Sequence, residues 1–210
     1  AFSDSLLIAA IGRFSVADLV CSRQARTPKG LGNVRTRYAV YPEELRTALT
    51  RFTEGGGSLL ISGSHIGTDA WDGLYRGATA AADSTETART RDFVQNVLGY
   101  KWMTNFASRT AQVWAVQSSS GYCCPVRKRF NFESGVSGNS VSAGSPDGIV
   151  PASSKAKTVF RYSDTNISAG VAYNAGRYRV ISLGFPLETI CDSNVEALLF
   201  MSAIDWLSAE

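Results

Sequence analysis

One stretch, from Glu54 to Asp69, constrains the fold of this chain more than any other. It begins with three consecutive glycines, which end a helix, and continues with the apolar run Leu59–Ile61, which is typical of a short strand buried on both faces. The pentapeptide Gly63-Ser64-His65-Ile66-Gly67, here called the elbow, follows. Its glycines permit a sharp turn from a strand into a helix and present the central residue as a nucleophile would be presented. That central residue is His65, the only histidine of the chain.

The size and charge of the chain narrow the classes of protein it can represent. Its 210 residues, 44% of them hydrophobic, suit one α/β domain over residues 1–210. The formal net charge is +3 and the densest basic run is Arg127-Lys128-Arg129, so we expect no nucleic-acid partner. Leu6–Ile11 is too short for a membrane span and lacks the basic flank of a signal peptide. Because the chain begins with Ala1, we expect a fragment of a longer protein.

The cysteines indicate neither a metal site nor a cofactor. Their spacing matches no zinc pattern, since two are adjacent and one histidine cannot complete a usual ligand set. The simplest interpretation is buried thiols, with one disulfide as an alternative. The even count, with many Ser, Thr, Asn and Gly residues, favours an exported protein that is periplasmic, cell-surface or extracellular. The four residues are Cys21, Cys123, Cys124 and Cys191.

Helices are predicted on both sides of the elbow. Pro42 opens one of them, Glu43 and Glu44 complement its positive end, and an apolar face recurs at helical spacing up to Phe52. A short helix is capped by residues 3–5 and runs to residue 11. Another has cap character at residues 83–86 and ends at Gly99. The last helix begins with a capping box at residues 193–196. Its broad apolar face consists of Val195, Leu198, Leu199, Ala203, Trp206 and Leu207.

Strands are predicted at residues 17–21, 100–104, 110–116, 158–162, 167–173 and 178–184. The last two form an antiparallel hairpin around the turn at residues 174–177. Residues 117–154 are rich in Ser and Gly, and we expect a long excursion or flap there with an isolated strand at residues 129–133. Helices between apolar strands, with a late hairpin, predict a three-layer α/β/α sandwich with a mixed sheet.

Two places in the chain resemble the class I glutamine amidotransferase-like fold, a flavodoxin-like sandwich. In that family a strand enters a G-x-C-x-G elbow, and a late strand ends in a motif of the type Q-F-H-P-E that supplies the catalytic His and Glu. Here the first place is the elbow. The second is the strand Arg179–Leu183, which continues into Gly184-Phe185-Pro186-Leu187-Glu188 and then a helix. The resemblance covers roughly residues 40–70 and 157–207.

The chain departs from that family at its catalytic positions. His65 stands in place of the nucleophilic cysteine and Pro186 in place of the catalytic histidine, so that only Glu188 matches. Because a thioester requires a thiolate, we expect no glutaminase activity. Degenerate forms of the fold with similar strands are found in secreted bacterial proteins labelled xanthan lyases, in some β-galactosidases and in trehalose-utilisation-type proteins. The resemblance implies a noncatalytic or ligand-binding accessory domain of an exported bacterial protein linked to polysaccharide degradation.

The residues around the elbow form a candidate ligand-binding site at the carboxyl end of the sheet, where ligands of such folds bind. A carbohydrate is the expected ligand, and neighbouring domains of a longer chain are the other expected partners. One alternative is a carbohydrate-active hydrolase or lyase in which His65 acts as a base, oriented by Asp69 or other carboxylates. Another is a structural module that positions a neighbouring domain. The candidate residues are Ser64, His65, Asp69, Trp71 and Glu188.

Three further interpretations of nearby side chains stay open. Trp71, Tyr75 and Trp102 suit either a platform on which a sugar ring stacks or ordinary packing at the rim of the core. Asp69 and Asp72 suit either the acid–base pair of a glycosidase or two unrelated loop carboxylates. Residues 164 and 166 are expected to be turn residues only.

Overall fold

The computed structural model describes residues 9–24, 39–71, 80–117, 122–135 and 142–209. They form a mixed α/β structure with one seven-stranded and one two-stranded sheet. The helices are α1 (Glu43–Glu54), α2 (Thr68–Trp71), α3 (Ala80–Asn96) and α4 (Ser193–Ser208), with a 3₁₀ helix at Leu187–Thr189. The strands are β1 (Val16–Ser22), β2 (Ser58–Gly63), β3 (Tyr100–Thr104), β4 (Gln112–Ala115), β5 (Phe130–Asn131), β6 (Gly148–Pro151), β7 (Ala156–Tyr162), β8 (Ser168–Asn174) and β9 (Arg179–Leu183).

The seven-stranded sheet is mixed. Its strand order is β1-β2-β9-β8-β7-β4-β5, in which the first three strands are parallel and the remaining pairs are antiparallel. Leu59 is paired with Ala17 on one side and with Val180 on the other. The predicted late hairpin is confirmed, because β8 pairs antiparallel with β9 and places Val171 opposite Ser182. The parallel strands β1, β2 and β9 therefore end at one edge of the sheet.

Alternate residues of the central strands enter two separate hydrophobic clusters. Leu60 of β2 belongs to a cluster that includes Leu199 of α4, whereas its neighbour Leu59 belongs to one that includes Phe52 of α1 and Phe93 of α3. This alternation follows from the two-residue period of a strand. Each fully buried Leu or Phe stabilises the fold by about 1.5–3 kcal/mol relative to an exposed one. The run Leu59–Ile61 is completely buried, as the sequence predicted.

Two predicted helix starts are wrong. Residues 83–86 do not cap α3, because that helix already begins at Ala80. The N-cap of α4 is Asp192 rather than Ser193, and its carboxylate accepts hydrogen bonds from the N–H groups of Asn194 and Val195 at 3.0 and 3.4 Å. The apolar face of α4 is also narrower than predicted, since Leu198 is 47% exposed.

The prediction of an isolated strand at residues 129–133 is wrong. β5 pairs with β4 at the edge of the large sheet, with Phe130 opposite Val113. Phe130 and Phe132 are both buried, and Phe132 stacks on Phe185 with ring centroids 5.1 Å apart. The short strand β6, which the sequence pattern did not predict, pairs with β3. Burial of these aromatic side chains accounts for the pairing, because it removes them from water.

Some predictions lie outside the described residues. They include the cap at residues 3–5, residues 25–33 of the loop that Pro and Gly content predicts over residues 23–33, and the residues Asp72 and Tyr75. Residues 9–11 are helical, and residues 163–165 form the turn expected around Asp164. Within the described ranges, no helix has the length and apolar character needed to cross a membrane.

Candidate functional site

The elbow lies where the parallel strands end. β2 ends at Gly63, residues 64–67 form a turn, and α2 begins at Thr68, so the predicted sequence of strand, turn and helix is present. A side chain at position 63 has no room, because a Cβ atom built on Gly63 would lie 2.7 Å from Cβ of Cys21. Ligands of open α/β sheets bind outside the carboxyl ends of parallel strands. The edge formed by the ends of β1, β2 and β9 is therefore the candidate site.

Ser64 lies buried beneath this edge of the sheet and has a structural role there. Its side chain is completely buried, and its hydroxyl donates a hydrogen bond to the carbonyl oxygen of Ala143. The bond joins the elbow to residues 142–147, a segment far away in sequence. A buried hydroxyl whose proton is already committed in this way is a poor nucleophile. A direct ligand contact by Ser64 stays a prediction.

His65 is the half-buried member of the elbow. Its Nδ1 is buried and has no hydrogen-bond partner among the described residues. Burial lowers the pKa of His65, and the positive charge of Arg23 lowers it further. His65 is therefore neutral at pH 7, with one ring nitrogen that donates and one that accepts. Arg23 is exposed at the end of β1 and donates a hydrogen bond to the hydroxyl of Ser142 at 3.3 Å.

Asp69 is connected to His65 through the backbone. Its N–H donates to the carbonyl oxygen of His65 at 3.2 Å, as expected one helical turn later. Its side chain is only 5% exposed, and Oδ2 accepts a hydrogen bond from the N–H of Val40 at 3.1 Å. The carboxylate thus fixes the segment that leads into α1. An orienting role for Asp69 toward the imidazole stays a prediction.

Trp71 lies half-buried at the end of α2. The guanidinium of Arg91 is 5.8 Å from the centroid of a Trp71 ring, which is a cation–π contact, and it also donates to the Trp71 carbonyl at 3.3 Å. Trp102 of β3 is also half-buried, and a Cβ atom built on Gly67 would lie 2.8 Å from it. The structure therefore gives both indoles a packing role beside the elbow, and sugar stacking stays a prediction.

Glu188 is exposed in the 3₁₀ helix that follows β9. Its negative charge acts on two side chains of β1. Burial raises the pKa of Asp18, and the charge of Glu188 raises it further. Burial also raises the pKa of the Cys21 thiol to about 12, with contributions from Glu188, Asp18 and Asp69. Cys21 is therefore a neutral thiol at pH 7, and a protonated thiol is a weak nucleophile.

Asp147, like Arg23, belongs to this site although the sequence pattern did not predict it. Its side chain is completely buried, and one carboxylate oxygen accepts hydrogen bonds from the N–H groups of Gly67 and Thr68 at 2.7 and 2.8 Å. The other oxygen accepts a hydrogen bond from the Thr68 hydroxyl. Burial raises the pKa of Asp147 from 3.8 to about 7, although the bonds from Thr68 and Gly67 act in the opposite direction. In sequence, Pro146-Asp147-Gly148 resembles any surface turn, so no pattern marks the carboxylate as functional.

Asp147 also joins the elbow to the end of β9. Its N–H donates to the carbonyl of Gly184 at 2.8 Å, and its own carbonyl accepts from the hydroxyl of Tyr162 at 2.8 Å. A Cβ atom at position 184 would lie 2.2 Å from that carbonyl oxygen. Only glycine allows such an approach. The two places of family resemblance, the elbow and Gly184–Glu188, are therefore in contact through Asp147.

Two buried tyrosines support the elbow from within. The hydroxyl of Tyr100 donates to the carbonyl of Ile66 at 3.0 Å, and the hydroxyl of Tyr41 lies 2.9 Å from that of Tyr100. Because the proton of Tyr100 is used on Ile66, Tyr41 is the donor of the second bond. Burial raises the pKa of both phenols well above its usual value, so they remain neutral.

Metal-ligating side chains do not cluster in the described part of the chain, where no three or more His, Cys, Asp or Glu residues could hold an ion. All four cysteines are free thiols. Cys21 and Cys124 are buried, as expected from the sequence, whereas Cys123 and Cys191 are exposed. The disulfide considered as an alternative is not formed.

Comparison with known proteins adds no relative: no protein-family model matches the chain, and no curated protein matches it either. The geometry of the site limits the chemistry that it can perform. The hydroxyl of Ser64 is committed to a buried bond and the thiol of Cys21 is protonated. The polar side chains with access to solvent include the half-buried His65 and the exposed Asp18, Arg23 and Glu188.

Proposed function

We propose that this chain is a noncatalytic, ligand-binding domain of the class I glutamine amidotransferase-like type, with a flavodoxin-like three-layer arrangement. The division of β2 between two hydrophobic clusters supports the layering, because helices from different parts of the chain contribute to each cluster. The contact between the elbow and Gly184 through Asp147 supports the fold type. By the same resemblance, we propose that the domain belongs to an exported bacterial protein linked to polysaccharide degradation.

The proposal of binding without catalysis rests on one observation: the thiol of Cys21 is protonated and the hydroxyl of Ser64 is already hydrogen-bonded. A glutaminase-like or esterase-like reaction needs an activated thiol or hydroxyl at the elbow. Cys21 is held protonated by burial and by nearby carboxylates, and the Ser64 proton is bonded to Ala143. His65 occupies the position of the nucleophile with a lowered pKa, as a neutral hydrogen-bonding group. Such a group suits reversible binding of a polar ligand.

The proposed ligand is a saccharide held at the carboxyl ends of β1, β2 and β9. Because Nδ1 is buried, neutral His65 offers Nε2 to a sugar hydroxyl, as a donor or as an acceptor according to which ring nitrogen carries the proton. The guanidinium of Arg23 suits a hydroxyl or a sugar carboxylate, and the carboxylate of Glu188 accepts from hydroxyl donors on the other side. These three groups come from the ends of three neighbouring strands, which is how open α/β sheets form binding sites.

Isothermal titration calorimetry against a panel of neutral and acidic polysaccharides tests the proposal. Wild type should bind at least one of them, and His65→Ala and Arg23→Ala should each weaken that binding at least about tenfold, which corresponds to about 1.4 kcal/mol. Arg177→Ala is the matched control, because Arg177 is also exposed but lies in the turn before β9, at the opposite edge of the sheet. Equal binding by wild type and both site variants would contradict the proposal.

A carbohydrate-active hydrolase or lyase is the second candidate, favoured by one observation. A histidine with a lowered pKa is unprotonated at neutral pH and can take a proton from a substrate. The calorimetry samples distinguish the two functions if sugar products are also assayed. Products formed by wild type but not by His65→Ala would establish the enzyme. Binding without products would support the accessory domain.

A further inference from the structure

Helix α4 has an apolar outer face, which is unusual for a helix at a protein surface. Its 16 residues include only two charged ones, Glu196 and Asp205. The buried face contains Val195, Leu199, Ala203 and Leu207. Leu198 and Met201 lie on the other side and are 47% and 58% exposed. Surface helices normally carry polar residues there, and a helix that is apolar on both sides is normally covered by another element.

A groove runs along this outer face between α4 and residues 122–128. One cavity of about 560 Å³ lies at its first half, where Arg127 and Lys128 face Asn194. A second of about 490 Å³ lies at the other half, where Cys123 faces Asp205 and Met201. Pro125 and Leu198 line both cavities, which are therefore parts of one α4 groove.

The α4 groove has opposite charges at its two ends. Exposed Arg127 and Lys128 lie at the end near Asn194, where their two positive charges outweigh the one negative charge of the helix-capping Asp192, and exposed Asp205 lies at the other end. The twelve residues from Asn194 to Asp205 span about 16 Å along a helix with a rise of about 1.5 Å per residue. The negative end of the helix dipole adds to the charge of Asp205. The groove is thus apolar in its centre, basic at one end and acidic at the other.

We propose that a second copy of this chain occupies the α4 groove, in a two-fold symmetric dimer with the two α4 helices antiparallel. A two-fold axis between Leu198 and Met201 places each Leu198 against the other copy's Met201. By the same symmetry, Asp205 of one copy lies opposite Asn194 of the other, and Asn194 lines the cavity that holds Arg127 and Lys128.

This charge pattern favours a second copy over an unrelated partner. In an antiparallel pair, the basic end of each groove lies against the acidic end of the other copy's groove. The dimer therefore has two such contacts, and residues of this chain alone form both of them. A single helix face with its flanking segment is at the small end of stable protein interfaces, which bury about 800 Å² on each side. The dimer should therefore dissociate on dilution.

Sedimentation velocity of the full chain over a wide concentration range tests the apolar centre. Wild type should approach twice the monomer mass as concentration rises. Met201→Glu should raise the dimer dissociation constant at least about tenfold, because a carboxylate would be buried at the axis. Met103→Glu is the matched control, since Met103 is 55% exposed on β3 and should leave the dissociation constant unchanged.

Charge reversal tests the antiparallel arrangement itself. Asp205→Arg alone should weaken the dimer several-fold, because it places like charges together. Asp205→Arg combined with Arg127→Asp in the same chain should restore much of the affinity, since each end then meets its opposite in the other copy. A wild type that stays monomeric at all concentrations would overturn the proposal. So would a dimer that Met201→Glu leaves intact, or a double reversal that weakens the dimer further than the single one.

Discussion

The carboxylate of Asp147 holds Thr68 by two hydrogen bonds, one from its N–H at 2.8 Å and one from its hydroxyl. Thr68 is the first residue of α2, and Gly67, which precedes it, donates to the same carboxylate at 2.7 Å. A residue from the segment before β6 therefore fixes the end of the elbow. The position of His65 depends on this long-range contact, because two residues separate it from Thr68.

Replacement of Asp147 by alanine should destabilise the protein strongly. The N–H groups of Gly67 and Thr68 would be left as buried donors without an acceptor, at a cost of about 1–3 kcal/mol each. Urea denaturation should show a lower midpoint with an unchanged slope. Glu44→Ala, at an exposed position in the first turn of α1, is the control and should change the free energy of unfolding by no more than about 0.5 kcal/mol. A variant as stable as wild type would show that the contact carries no stability.

Asp147 should also make stability fall as pH rises toward neutrality. Burial raises its pKa from 3.8 to about 7, so the folded protein binds a proton more tightly than the unfolded chain does. The stabilisation is complete below about pH 4 and is lost as pH rises through about pH 7. His65 contributes with the opposite sign, since a lowered pKa in the folded state destabilises it in acid.

Asp147→Asn isolates the contribution of Asp147 to the pH dependence. The amide mimics the protonated acid, with its oxygen accepting from Gly67 and Thr68 and its nitrogen donating to the Thr68 hydroxyl. We expect the fold to be kept. The difference in unfolding free energy between wild type and variant should change by at least about 1 kcal/mol from pH 4 to pH 7. A constant difference across that range would contradict the assignment.

The tyrosine pair behind the elbow predicts an order of mutant stabilities. Tyr100→Phe removes the donor to the Ile66 carbonyl and also leaves the buried hydroxyl of Tyr41 without its acceptor. Tyr41→Phe removes only the bond between the two phenols. The first variant should lose about 1–3 kcal/mol and the second about 1 kcal/mol. Thermal or urea unfolding of the two variants, each serving as the control for the other, checks this order. Equal losses would mean that the Ile66 bond carries no stability.

Gly184→Ala should disturb the contact between β9 and the elbow. The new methyl group would meet the carbonyl oxygen of Asp147 at 2.2 Å, which requires a backbone shift and should cost about 1–3 kcal/mol or more. Gly135→Ala is the control, because a Cβ atom there meets only the flexible side chain of Glu133 at 3.3 Å. Denaturation of both variants tests the difference. A tolerated Gly184→Ala would show that residues 146–148 can move away freely.

The local elements of this fold were predictable because their causes lie within a few residues. The glycines after Glu54, the apolar run Leu59–Ile61 and the glycines of the elbow specify a helix end, a buried strand and a turn. The β8–β9 hairpin was predictable for the same reason. The starts of the helices were harder to predict. Asp192 rather than Ser193 caps α4. Aspartate and serine are about equally good caps, so the sequence alone does not decide between them.

The parts that sequence reasoning missed depend on contacts between distant residues. Asp147 lies about 80 positions from Thr68, and nothing local distinguishes it from an ordinary turn residue. Phe130 joins β5 to the large sheet because it is buried among Phe160 and Phe185, which come later in the chain. Arg23 falls in a segment that its composition marks only as a loop. Such pairings become visible only when the fold brings the segments together.

The most direct test of the central claim uses the single histidine of the chain, whose ring gives one unambiguous Hε1 resonance in an NMR spectrum. We predict that a pH titration of this resonance gives a pKa below the ordinary value of 6.5, because burial and Arg23 disfavour the charged form. We also predict that a saccharide which binds in calorimetry shifts the resonance of His65 at neutral pH. A pKa at or above 6.5, or a resonance that does not move while the saccharide binds, would contradict a neutral His65 at the ligand site.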